Sequence, residues 1–161
     1  GPAMAGVMLS EIDITKAEYP SSLHKYAGLD VASDGQGRSR KKEHLEDSEY
    51  VDAEGEVKVK KGITFNPFLK TKLVGVLGSS FIKQSPDKCV YRKIYDDYKH
   101  RLEHMDAHKE KSKGHRHNMA VRYMVKMFLV DLYNAWRRIE GLPVAPTYSE
   151  AKLGKVHKIA A

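Results

Sequence analysis

The stretch "NMAVRYMVKMFLVDLYNAWRRIEG", residues 118–141, decides the architecture. Met119, Tyr123, Met127, Val130, Asn134 and Arg137 recur at helical spacing, and between them nearly every face but one of a helix over 117–140 is apolar. Gly141 and Pro143 supply the stop. Arg122, Lys126 and Asp131 break the apolar run, which makes a bilayer span costly and a helix buried in protein cheap. Such a helix belongs in the middle of a bundle.

Its neighbours are read from the same periodicity. Asn66-Pro67 is an N-cap and first-turn pair, and Leu69, Leu73, Val76, Leu77 and Phe81 predict a helix over 67–84. A helix over 87–104 places Val90, Tyr91, Ile94, Tyr95, Tyr98 and Leu102 on one side. Residues 106–117 contain Gly114 and read as a connection. Upstream, 2–12 reads as a helix opened by Pro2, and Pro20 opens a short helix stopped by Gly28. Residues 32–45 carry no apolar period and read as a mobile surface segment. "EYVDAEGEVKVKK", 49–61, predicts a β-hairpin with polar faces whose Lys58, Lys60 and Lys61 make one end positive. The tail after Pro146 reads as extended, with Tyr148 as a docking point. The fold class is therefore mainly α: a helical bundle with a small β-hairpin arm, organised as 1–30, 31–62, a helical core at 63–145 and a tail at 146–161.

With 161 residues, 41 % of them hydrophobic, the chain can bury one sizeable core. A single cysteine, Cys89, allows no internal disulfide and suits a reducing compartment, hence a cytoplasmic assignment. The first residues lack the basic start of a signal peptide. Charge is uneven: residues 62–161 hold nineteen Lys and Arg against nine acids, whereas 1–37 hold two against five. That excess favours a polyanionic partner, nucleic acid ahead of membrane.

Phosphate loops of the GxxxxGK[ST] type, strand-to-helix GxGxxG turns and paired-cysteine zinc sites are absent from the sequence. His100, His104 and His108 fall on one helical face, with His115 and His117 beyond, but without HExxH; a structural or phosphate-contacting role outweighs a metal site. Ser33 and Ser39 sit in a Gly-rich loop beside Arg38, Arg40, Lys41 and Lys42, cations able to neutralise a phosphodiester. A serine nucleophile needs a base, and the histidines near by in sequence are His24 and His44.

The order of "GPAMAGVMLSEID", "SSLHKYAGLDVASDG", "KGITFNPFLKTKLVGVL" and the apolar helix resembles the C-terminal part of the IS-one-ten family of insertion-sequence transposases. The most specific segments are "YAGL" at 26–29 and "KGITFNPFLK" at 61–70. The resemblance implies that Gly1 and Pro2 close the Gly-x-Gly-Pro of a helix-hairpin-helix remnant. It further implies an enzyme in two parts: a RuvC-like domain outside this sequence, holding magnesium on four carboxylates, and a serine-bearing domain corresponding to this chain. Magnesium is thus expected of the other part and no cofactor or metal of this one. The implied partners are DNA, a structured guide RNA and further copies of the chain in a homo-oligomer, with no membrane, at the prokaryotic nucleoid. The family serine stands about eight positions past the Gly of the Gly-Leu element and precedes glycine. Ser33 stands five past Gly28 and Ser39 eleven, so neither matches; Ser33, beside "DGQG", is the expected nucleophile. Arg38, Arg40, Lys41, Lys42, Lys60, Lys61, Lys70 and Lys72, with Gly1 and Pro2, are the expected nucleic-acid contacts. The other reading is a helical nucleic-acid-binding or assembly domain with no nucleophile.

Overall fold

Residues 1–154 are described by a computed structural model. It is mainly helical with a two-stranded antiparallel hairpin, the bundle and β arm that the patterning predicts. The elements in chain order are α1 (Pro2–Glu11), a 3-10 turn (Ile14–Lys16), α2 (Pro20–Tyr26), a 3-10 turn (Lys42–His44), β1 (Glu46–Val51), β2 (Val57–Gly62), α3 (Pro67–Thr71), a π-helical segment (Lys72–Gly78), α4 (Ser79–Ile82), α5 (Val90–His104), a 3-10 turn (Asp106–His108), α6 (Lys113–Ile139) and α7 (Tyr148–Leu153).

The opening stretch forms α6, at the centre. Ser112 caps it, its hydroxyl accepting the His115 N–H, so the helix starts before the predicted 117 and takes Gly114 into its first turn. Gly141, at φ +67°, ends it. Ala120, Val121, Met124, Val125, Leu129, Val130 and Tyr133 are buried along it; each large side chain among them stabilises the fold by about 1.5–3 kcal/mol. α5 packs along one flank through Tyr95 and Leu102, and Phe81, Tyr91 and Phe128 meet ring to ring. The helix predicted over 67–84 is present, capped by Asn66, but its middle widens to π geometry, which spacing alone does not announce. Gly78 lies where it crosses α6: a Cβ there would stand 3.0 Å from Val121.

Arg137, though on a buried face, is satisfied by donating to the carbonyls of Ile14, Ala17 and Pro143, and the Tyr133 hydroxyl donates to that of Glu18. These bonds fasten the N-terminal segment to α6. Met4, Ile12, Leu23, Leu29, Leu69, Leu73, Leu102, Leu129 and Tyr133 belong to one cluster, so segments 1–30 and 63–145 share a core.

Three local readings are corrected. Residues 32–45 form a hydrogen-bonded loop, with Ala32 and His44 buried, because polar side chains and turn bonds supply what apolar periodicity does not. The hairpin is exposed along its strands except at Gly62; Lys58 near the turn pairs with Asp52 and Glu56, while Lys60 and Lys61 stand further along opposite Ser48 and Asp47, so the three lysines do not share one end. Residues 148–153 are helical rather than extended, through a Thr147–Glu150 capping box, and Tyr148 is 71 % exposed rather than docked. The rest of the predicted tail, 155–161, lies outside the described residues.

Candidate nucleic-acid interface

The loop after α2 is positioned by a helix stop and a close approach. Gly28 takes φ +63°, and a Cβ there would stand 2.6 Å from the ring of buried Phe65. Only glycine meets both demands. The chain then doubles back, with Val31 bridging Gly37 and the Arg38 N–H donating to the Asp30 carbonyl. Arg38 Nε donates to Asp30 Oδ2 at 2.7 Å, and its Nη1 reaches Glu46 and Thr64 at 3.2 and 3.3 Å. Arg38 is thereby a clasp between the loop, β1 and the segment joining β2 to α3.

Three more cations converge on this clasp. Lys70 Nζ donates to the Arg38 carbonyl at 2.6 Å. Arg122 Nη2 donates to the Gly28 carbonyl at 3.3 Å, and its guanidinium lies so close to Gly37 that a Cβ there would stand 2.7 Å from it. Lys126 follows one turn later on α6, and its carbonyl accepts from His24 Nε2 at 3.1 Å. Asp30 is the carboxylate that feels all of them, and its Oδ1 is buried without a hydrogen bond.

The electrostatic consequence is a strained set of positive charges. Burial, and then the nearby Arg122 charge, push Lys70 down to about 8. Burial lowers Arg122 as well, and burial followed by Arg122 lowers Lys126. Burial and then the Lys126 charge push His24 down to about 4, so it is a neutral ring at physiological pH. Half-desolvated like charges beside one carboxylate are unfavourable until an anion joins them.

Beside the cluster the loop assembles a hydroxyl, an imidazole and a carboxylate. Ser39 Oγ lies 2.9 Å from His44 Nδ1, and His44 Nε2 donates to Asp34 Oδ2 at 3.0 Å. His44 is 4 % exposed. The His44 hydrogen bond, followed by the Gln36 N–H, holds the Asp34 carboxyl below its usual range. With Nε2 donating to Asp34, Nδ1 presents the lone pair, the tautomer a base needs. The Ser39 N–H also donates to that lone pair at 2.9 Å, and Ser39 Oγ accepts the Lys41 N–H at 3.2 Å.

The expected site residues separate accordingly. Ser33 is exposed and makes no hydrogen bond among the described residues, whereas Ser39 has the histidine. Gln36 occupies the position eight past Gly28. Arg38 and Lys70 join the cluster through internal bonds. Arg40, Lys41 and Lys42 are exposed along the loop, with Lys41 reaching Gln36. Lys60 lies over the Tyr50 ring, Lys61 is exposed on the hairpin, and Lys72 lies over Phe68. Gly1 and Pro2 are exposed at the start of α1. Arg122, Lys126, Asp34 and Asp30 were not expected at the site. Arg122 and Lys126 did carry a signal, since a charge inside an otherwise apolar helix needs a partner.

The histidine row is divided. α5 ends at His104, where His100 and His104 lie ring against ring, while His108 sits in the following 3-10 turn. His117 Nδ1 lies 2.7 Å from the Tyr95 hydroxyl. Among the described residues no group of three His, Cys, Asp or Glu is arranged to hold a metal. No described helix is long and apolar enough to cross a membrane. Comparison with protein-family models, curated proteins and solved structures yields no match to this chain.

Proposed function

We propose that the chain is a nucleic-acid-binding domain of a DNA transposase or recombinase, holding a phosphate backbone on Lys70, Arg122 and Lys126 beside a loop that carries a serine. The observation behind it is the convergence of half-buried cations on Asp30. A phosphodiester seated there relieves their mutual repulsion, and its salt-dependent affinity follows from the counterions it releases. DNA and a structured guide RNA are the partners the sequence resemblance suggests. Association with further copies and with a RuvC-like domain belongs to the same proposal.

Geometry favours Ser39 over Ser33 as the nucleophile. In the proposed step Ser39 Oγ bonds to phosphorus, its proton passes to His44 Nδ1, and the sugar oxygen leaves with the electrons of the broken P–O bond. His44 keeps its Nε2 proton on Asp34, which stabilises the imidazolium. A phosphoserine ester is left, from which a second strand's hydroxyl displaces the serine.

The second reading, a binding domain without chemistry, is favoured by the two backbone N–H groups that engage His44 Nδ1 and Ser39 Oγ, since such bonds also serve a purely structural loop. Trapping separates the two. Protein expressed from the complete gene is incubated with labelled DNA, denatured, treated with nuclease and mapped by mass spectrometry. A nucleotide adduct on Ser39, absent in Ser39→Ala and retained in Ser33→Ala, is the expected result. Salt-sensitive binding without any adduct leaves the binding domain, and an adduct on Ser33 overturns the choice of serine.

A further inference from the structure

A groove of about 710 Å³ opens between α2, α6 and α7, with Lys126 among its lining residues. Tyr19, His24, Tyr123, Lys126, Tyr148 and Lys152 line it, and no carboxylate is among its lining residues. Its volume falls in the range of pockets that enclose small organic ligands, about 300–1,000 Å³. Tyr19 and Tyr148 are 55 % and 71 % exposed, so their rings are offered to solvent without covering the core. Tyr123 is backed by Tyr98, stacked on it at 4.0 Å, which fixes the ring's plane. His24, neutral because it is buried, adds a flat uncharged surface.

Lys126 joins this groove to the cation cluster, because it lines the groove while its charge is coupled to Arg122 and Asp30. Stacking surfaces beside a cationic track are what an unpaired nucleotide requires: the π face of any base finds a ring, and the adjoining phosphate finds a cation. A duplex keeps its bases stacked inside and makes only the second contact. We propose that this groove takes an unpaired base of a single-stranded nucleic acid whose flanking phosphates lie on Arg122 and Lys126. This rests on the nucleic-acid reading above and adds a preference for unpaired strands.

The test uses a short single-stranded oligonucleotide containing 2-aminopurine, whose fluorescence is quenched on stacking, and a blunt duplex of the same length. Wild-type protein should quench the probe and bind the single strand more tightly than the duplex. Tyr148→Ala, an exposed change that leaves the core intact, should weaken single-strand binding about tenfold and duplex binding less than twofold, while Tyr148→Phe should retain both. If Tyr148→Ala and Tyr19→Ala each bind the single strand as wild type does, the groove takes no base and the phosphate interface stands. Equal losses for single strand and duplex also overturn the groove proposal. Failure of the wild-type protein to bind either nucleic acid at low salt removes both readings.

Discussion

The loop at 29–44 and the hairpin at 46–62 are alike in sequence, polar and rich in charges of both signs, yet they fold differently. The loop is clamped to the bundle: Gly28 against Phe65, Arg38 on Asp30, Arg122 against Gly37, and His44 buried. The hairpin is exposed along its strands except at Gly62, with Lys58 paired to Asp52 and Lys60 lying over Tyr50. Charge held half out of water by packed neighbours is available for an anion in a way that solvated charge is not. The proposed binding is therefore placed at the clamped loop rather than on the arm.

The largest expected contrast lies in the glycines. Gly28→Ala combines a left-handed backbone with a clash on Phe65 and should cost about 3 kcal/mol of unfolding free energy. Gly55→Ala, at φ +85° with open space around it, should cost about 1 kcal/mol. Urea titrations of the two variants check this, and equal costs would mean the loop is not clamped.

The next effect is pH-dependent stability. His24 has a folded value near 4 against an ordinary 6.5, so the unfolded chain takes up the proton first as pH falls. Its contribution is fully present above about pH 6.5 and lost as pH falls toward 4, by about 2–3 kcal/mol at pH 4.5 relative to pH 7.5. His24→Gln should flatten that part of the profile.

A smaller effect is expected on binding. Lys70 loses its charge as pH rises through about 8. Affinity for a DNA oligonucleotide should therefore fall a few-fold between pH 7 and pH 9, with proton uptake on binding visible by calorimetry in buffers of different ionisation heat. Lys70→Arg, charged throughout, should remove most of that dependence.

The bundle was legible because α6 and its neighbours announce themselves by periodicity, and Asn66-Pro67 and Gly28 by their chemistry. The site was legible in part. Arg38 and Ser39 stand together in the Gly-rich loop and Lys70 follows the Asn66 cap, but Arg122 and Lys126 meet them only once α6 has packed, more than fifty residues past Lys70 and more than eighty past Arg38. The Ser39–His44–Asp34 chain depends on two turns that no spacing rule specifies. The apolar period of the 67–82 segment likewise does not register the π-helical widening over Lys72–Gly78, which shifts the rows of side chains by part of a turn.

The most direct measurement is the salt dependence of oligonucleotide affinity, by fluorescence anisotropy, for two variants whose folding is first checked by thermal melting. Arg122→Gln with Lys126→Gln should lower affinity at least tenfold and reduce the slope of log K against log salt by about two, while Lys58→Ala with Lys60→Ala and Lys61→Ala should change affinity less than threefold. The reverse outcome, with affinity lost in the hairpin variant and kept in the α6 variant, would contradict the assignment of binding to the clamped loop.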